Sequence, residues 1–499
     1  MPRRPVLAFA LLTSLTILSA PLAPVAGAQS QPAPRLDPLR VSPESGPAGT
    51  NVTISGTARP NTAVDLQWLT WDGSYQTETT AETVAYKQRT FADMRVPIGH
   101  FTADDQGQFS TEFTIPEDYG QLHDVRAVAD GQDVARGAFQ IQLAATATPS
   151  SGPIGTPIHL RVTGLNPNLF SGSTLAVRYD NAYTGVLTAA TTGGTAEATI
   201  RASGTVGDHA IFVGAGTVPS YLNISQSPYD FLYAHLPDGE GFKFTFTTTA
   251  DNGAPPNELE WPAADAVHTL GPDDPRTTFE PIAAPTGSAT LQPTSGPILS
   301  NTHLAASGLQ PDKDVTLVWM TARGNRVSDS GWDVVSGTIG TGHTDAQGSL
   351  ATDVSIPDDL GGWHELKLVQ DQAVVNQVPF YVERSLVSVS PAQVKAGDTV
   401  TIHAKGLGWT ELDNGFAVTY DNAFAGYACG FNSNGDVTMP LVATGGPGTH
   451  LIDLYPMVYN GQDRKPWYWA PVLTFARDFP ALGLGYRLPA YRLAITIPR

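Results

Sequence analysis

Val177-Arg-Tyr-Asp-Asn-Ala-Tyr-Thr-Gly185 decides how this chain is read, because it returns as Val418-Thr-Tyr-Asp-Asn-Ala-Phe-Ala-Gly426, 241 positions later. His123 recurs as His364 and His209 as His450 at that same spacing, whereas Trp68 recurs as Trp319 at 251. One length change therefore falls between Trp68 and His123. A long block is duplicated, and an internal repeat governs every later inference about fold.

The unit inside the block is smaller. Ser42-Pro-Glu-Ser-Gly-Pro-Ala-Gly-Thr-Asn-Val-Thr-Ile-Ser-Gly56 joins a Gly/Pro turn to a strand whose Val52 and Ile54 alternate with polar residues. Looser copies begin at Pro149, Pro293 and Pro391. Each copy is followed by short alternating strands and turn residues with little helical periodicity, which predicts a β-sandwich. The first and third units (type A) share Trp68 or Trp319 and an Asp-x-x-Gly turn, Asp104 to Gly107 and Asp345 to Gly348. The second and fourth (type B) share Tyr-Asp-Asn-Ala and an added aromatic segment after the histidine strand, 219–241 and 455–485.

The opening phrase resembles that of the IPT/TIG domains, an immunoglobulin-like family, through Pro43, Gly46, Gly49, Thr50, Val52, Thr53, Ile54 and Gly56. The resemblance covers the first two strands of each unit and speaks to fold, not function. It implies an all-β chain of four tandem immunoglobulin-like β-sandwich domains arranged as a duplicated A-B pair. The expected boundaries are 40–143 (A1), 144–249 (B1, with an aromatic insert), 288–384 (A2) and 385–499 (B2, with an aromatic insert). Residues 250–287, rich in Pro, Asp and Glu, read as a linker. A rod of modules and two halves folded back on each other both fit this order.

Arg3 and Arg4, the apolar run Val6 to Leu18 and Ala26-Gly27-Ala28 predict a signal peptide over residues 1–28. No later apolar run reaches the roughly 18 residues of a membrane helix. The expected location is secreted: extracellular, periplasmic or on the cell surface. A net charge of −19 repels phosphate backbones, so nucleic acid is not an expected partner. Cys429 is the only cysteine and reads as a small buried hydrophobe.

Four histidines, His123, His209, His364 and His450, follow a glycine with one or two residues between, at a strand start. Their equivalence in four separate units predicts backbone hydrogen bonding, not metal ligation, which needs converging ligands. Asp180 and Asp421 sit where a hairpin turn belongs; their alternative role is a cation site, with Ca2+ as the possible ion. Tyr459, Trp467, Tyr468 and Trp469 in the last insert are the candidate ligand-binding residues, since Trp and Tyr present large rigid faces. Covering a sheet end or a domain interface is their alternative use. No serine elbow, zinc helix, phosphate loop or Cys-x-x-Cys pair occurs, and no enzyme is expected. The function read from these features is non-catalytic binding or scaffolding toward a protein or glycan partner. A polysaccharide-active protein using the aromatic loop and a surface-layer or filament subunit are the alternatives, and the oligomeric state stays open.

Overall fold

The structure, a computed structural model, describes residues 36–79, 84–167, 174–215, 241–271, 274, 281–324, 332–430, 434–458 and 470–499. Residues 37–499 form one compact unit. Its strands build four sandwiches, each pairing a three-stranded sheet with a larger one. The alternation seen at Val52 and Ile54 repeats throughout: both side chains are buried while Asn51 and Thr53 face outward. Each module has its own core, and that of B1 also takes in Tyr455, Leu473, Phe475 and Ala490 of B2. The chain is thus all-β, with four immunoglobulin-like sandwiches in A-B-A-B order.

In each module the chain leaves the small sheet at the opening proline, and the peptide before Pro43, Pro149, Pro293 and Pro391 is cis. Ser45–Gly46, Ser151–Gly152 and Ser295–Pro297 then pair in parallel with the last strand of the larger sheet. In B2 that pairing shrinks to a single bridge between Gln393 and Thr496. The free remainder of the edge is filled from elsewhere: Glu258–Glu260 pairs antiparallel with Ala490–Ile497. The expected linker is therefore anchored to the second half. Asp251 accepts hydrogen bonds from the Thr449 N–H and hydroxyl at 2.9 and 2.7 Å, and Asn257 accepts the Ala494 N–H at 3.0 Å.

Most of the length change between the repeats lies in one hairpin. In A1 the strands Ala63–Thr79 and Val84–Thr102 have 17 and 19 residues, against 11 and 12 for Asp314–Gly324 and Trp332–His343 in A2. The longer hairpin carries Val84 and Tyr86 out of their own sandwich and into a fifth core. There they meet Val186 of B1, Tyr381 of A2, and Leu412, Phe479, Leu482, Leu484 and Tyr486 of B2. All four modules contribute, so the halves are folded against each other.

Within each half, one glycine of A lies directly against the backbone of B. The N–H groups of Gly120 and Gly361 donate to the Leu165 and Leu407 carbonyls at 3.0 and 2.9 Å. A Cβ at either glycine would lie 2.1 or 1.8 Å from the Gly164 or Gly406 carbonyl oxygen, so no other residue permits that approach. Cys429 differs from expectation: it is only half-buried, because Ala423–Cys429 is the edge strand of its sheet.

The second half also completes a sheet edge of the first. The Val186 N–H donates to the Pro471 carbonyl, the Leu473 N–H donates to the Val186 carbonyl, both at 2.9 Å, and Val186 and Val472 form a parallel bridge. Bridged residues lie about 5 Å apart, within disulfide range. Val186→Cys/Val472→Cys on a Cys429→Ser background is therefore expected to close a disulfide within one chain. Non-reducing electrophoresis checks this, and persistent free thiols would contradict the folded-back arrangement.

Candidate functional site at the junction of the B modules

The recurring histidines hold their own modules together. Each ring lies against the aromatic of the neighbouring strand, Trp68 on His123 at 4.5 Å between centroids and Trp319 on His364 at 4.8 Å. In the B modules Tyr179 and Tyr420 take that place at 5.3 and 5.5 Å. In all four, Nε2 faces the carbonyl four residues upstream, at Tyr119, Thr205, Leu360 and Gly446, over 2.7–2.9 Å. The expected backbone bond is present, and the stacked aromatic is a second support for each imidazole.

The two types differ in where the carboxylate goes. In type A, Asp118 and Asp359 accept the indole N–H of Trp68 and Trp319 at 2.7 and 3.0 Å. Nδ1 of His123 and His364 then faces a carbonyl, of Leu69 or Met320. Burial holds the His364 imidazole below its ordinary value, against the pull of Asp359 and both carbonyls. In type B, Nδ1 of His209 and His450 faces Asp180 and Asp421 at 2.5 and 2.6 Å. The hydrogen bond to Asp421 holds His450 above its ordinary value despite partial burial. Burial pushes the Tyr179 phenol up to about 12, and its hydroxyl donates to the Ser203 carbonyl at 3.0 Å.

Asp180-Asn181 and Asp421-Asn422 adopt positive φ at both positions, 49° and 66°, 47° and 63°. This is a two-residue hairpin of type I′, whose demand for left-handed residues Asp and Asn meet. Both carboxylate oxygens of each aspartate are used, one on the histidine and one on the N–H of Ala210 or Leu451. Among the described residues, no three His, Cys, Asp or Glu side chains gather as a metal-holding group. Tyr459, Trp467, Tyr468 and Trp469 lie outside the described residues.

The charged residues that join the halves carried no motif. Arg201 of B1 is buried and donates to Asp453 of B2 at 2.5 Å and to the Leu493 carbonyl at 2.7 Å. Arg492, also buried, donates to Glu260 at 2.6 Å, the Tyr455 hydroxyl at 2.7 Å and the Thr199 carbonyl of B1 at 3.1 Å. Burial disfavours the Arg492 charge, but Tyr455, Asp453 and Glu260 outweigh it and hold the guanidinium above its ordinary value. Asn422, at the B2 turn, donates to the Arg201 carbonyl and the Ser203 hydroxyl at 2.7 and 2.8 Å. Buried ions need such pairing to offset their lost hydration.

Beside this network a cleft of about 360 Å³ opens between the halves. Its floor is the small sheet of B1, where register sets Thr148, His159 and Thr199 side by side, and Thr146, Arg161 and Glu197 in the next row. Leu473, Phe475, Ala476 and Arg477 of the B2 insert, with Glu260, make the opposite wall. Glu197 stands between the two arginines, 3.3 Å from Arg161 and 3.9 Å from Arg477.

No protein family matches this chain, and no curated protein does. Similar solved structures include Escherichia coli α-2-macroglobulin, with 10% identity over 91% of this chain and a TM-score of 0.17. This chain spans only 30% of that protein's length. Invasin, a bacterial integrin-binding protein, is 12% identical over 87% of this chain and 78% of its own, with a TM-score of 0.19. The ICAM-5 D1–D4 ectodomain fragment is 10% identical over 93% of this chain and 100% of its own, with a TM-score of 0.18. Among the described residues no helix is long and apolar enough to cross a membrane.

Two outcomes follow from the junction and the turns. Arg201→Met is expected to cost about 3 kcal/mol in urea unfolding, the low end for breaking a buried pair because Arg492 still faces Asp453. His450 is held above its unfolded value, so its contribution is complete below about pH 6.5 and lost as pH rises through the raised value. The stability gap between wild type and Asp421→Asn should accordingly be wider at about pH 6 than at about pH 9. Unfolding midpoints at the two values test it; an equal gap at both would remove the pairing.

Proposed function

We propose that this is an exported, non-catalytic binding or scaffolding protein that works outside the cytoplasm on a protein or glycan partner. The IPT/TIG-like opening of each module and the sequence features of residues 1–28 support that setting. The observation that carries the reading is the use made of the recurring polar residues. Each repeated histidine, and the aspartate of each Asp-Asn turn, is tied into its own module by hydrogen bonds and stacking, and Asn422 of the B2 turn is taken up by the contact with B1. What a shared core then offers a partner is a fixed arrangement of four sandwich surfaces.

A carbohydrate-binding reading is favoured by one further feature, the polar cleft where B1 and the B2 insert meet. The test of the main reading is fractionation of the producing cells followed by crosslinking of the exported chain in place. A reproducible, stoichiometric partner or envelope polymer outside the cytoplasm is expected. Retention in the cytoplasm, or turnover of a substrate by the purified chain, would overturn it.

A further inference from the structure

We propose that the cleft between the small sheet of B1 and the B2 insert is a binding site for a neutral, hydroxyl-rich ligand, a saccharide chain. The inference deepens the binding reading above and rests on it. Charge balance is the first argument. Two cations, Arg161 and Arg477, and two anions, Glu197 and Glu260, line the cleft and are paired. Glu117 and Asp265 complete the arginines at 2.5 and 2.7 Å. A phosphate or carboxylate ligand would have to displace Glu197 from between its arginines, and an apolar ligand would strip water from four charges with no replacement bonds. A sugar hydroxyl both donates and accepts, so it can bond to the outward side of an existing Arg–Glu pair without breaking it.

The floor supplies the second argument. Thr146, Thr148 and Thr199 present hydroxyls, and His159 presents an imidazole whose Nδ1 lies 3.1 Å from the Thr199 hydroxyl. Neighbouring strands are about 4.8 Å apart and successive outward residues about 6.8 Å, so these groups form a flat polar grid. Ala476, part-exposed on the opposite wall, places carbon beside that grid, while Leu473 and Phe475 are buried in the B1 core behind it. The volume, about 360 Å³, falls at the small end of ligand sites. It suits one or two sugar units of a longer chain that runs out along the sheet.

The site also requires both halves. Arg161, Glu197 and His159 come from B1, whereas Arg477 and Glu260 are held by the second half. Ligand binding should consequently stabilise the junction.

The experiment is calorimetric titration of the full chain with cello-, xylo-, malto- and chito-oligosaccharides of six units, beside a sulfated oligosaccharide. At least one neutral series should bind saturably and raise the unfolding midpoint, and the sulfated one should bind at least tenfold more weakly. Glu197→Gln and the double variant His159→Ala/Thr148→Val should each weaken binding about tenfold while the ligand-free unfolding midpoint is kept. No binding by any neutral series overturns the site and leaves the crosslinking test of the broader reading standing. Binding unchanged in both variants, or lost only in Trp467→Ala/Trp469→Ala, overturns the cleft while retaining a carbohydrate-binding protein.

Discussion

The arrangement depends on apolar surface that no single sandwich can cover. Val84 and Tyr86 stand beyond the A1 core, Val186 lies on a sheet edge of B1, and Phe479, Leu482 and Leu484 belong to an insert outside the B2 sheets. Left in water, each such side chain costs on the order of 1.5–3 kcal/mol relative to burial. They become buried only when the long A1 hairpin, the B1 edge and the B2 insert converge. Everything distinctive about this protein follows from that convergence: the closed B1 edge, the ion network across the junction and the cleft beside it.

Local features were legible because they are local. A two-residue Asp-Asn turn needs left-handed backbone at both positions wherever it occurs, so Tyr-Asp-Asn-Ala announces a hairpin. A histidine at a strand start finds the carbonyl four residues back by chain geometry alone. The ten-residue offset likewise pointed to a real length difference, most of it in the A1 hairpin. Long-range partners were not legible. Arg201 and Asp453 are 252 residues apart, and nothing beside either one marks it as half of an ion pair. Arg492 reads as a charge in an alternating strand, yet it is buried. Within the expected linker the same holds: Glu258-Leu-Glu260 is too short to show a period, and its strand character comes from the edge it meets.

The two module types show one support solved twice. Type A stacks an indole on the imidazole and uses its aspartate to receive the indole N–H, sealing the pair inside the core. Type B stacks a phenol, sends the phenol hydroxyl to a backbone carbonyl, and moves the aspartate to the hairpin where it meets the imidazole itself. That relocation brings the carboxylate nearer the surface, and in B2 it holds His450 above its ordinary value. In B2 the same hairpin then places Asn422 on B1, so the turn that supports one module also joins it to another.

The edge strand Glu258–Glu260 carries a consequence for how the molecule is made. It leaves the ribosome well ahead of Ala490–Ile497, the strand it pairs with, and both A2 and B2 must follow before that partner exists. During the wait its edge has nothing to bond, and an apolar strand in that position would invite aggregation. An acid- and proline-rich composition keeps such a segment hydrated until its late partner arrives. The acidic and proline-rich bias around Glu258–Glu260 thereby suits a strand whose partner lies beyond both A2 and most of B2.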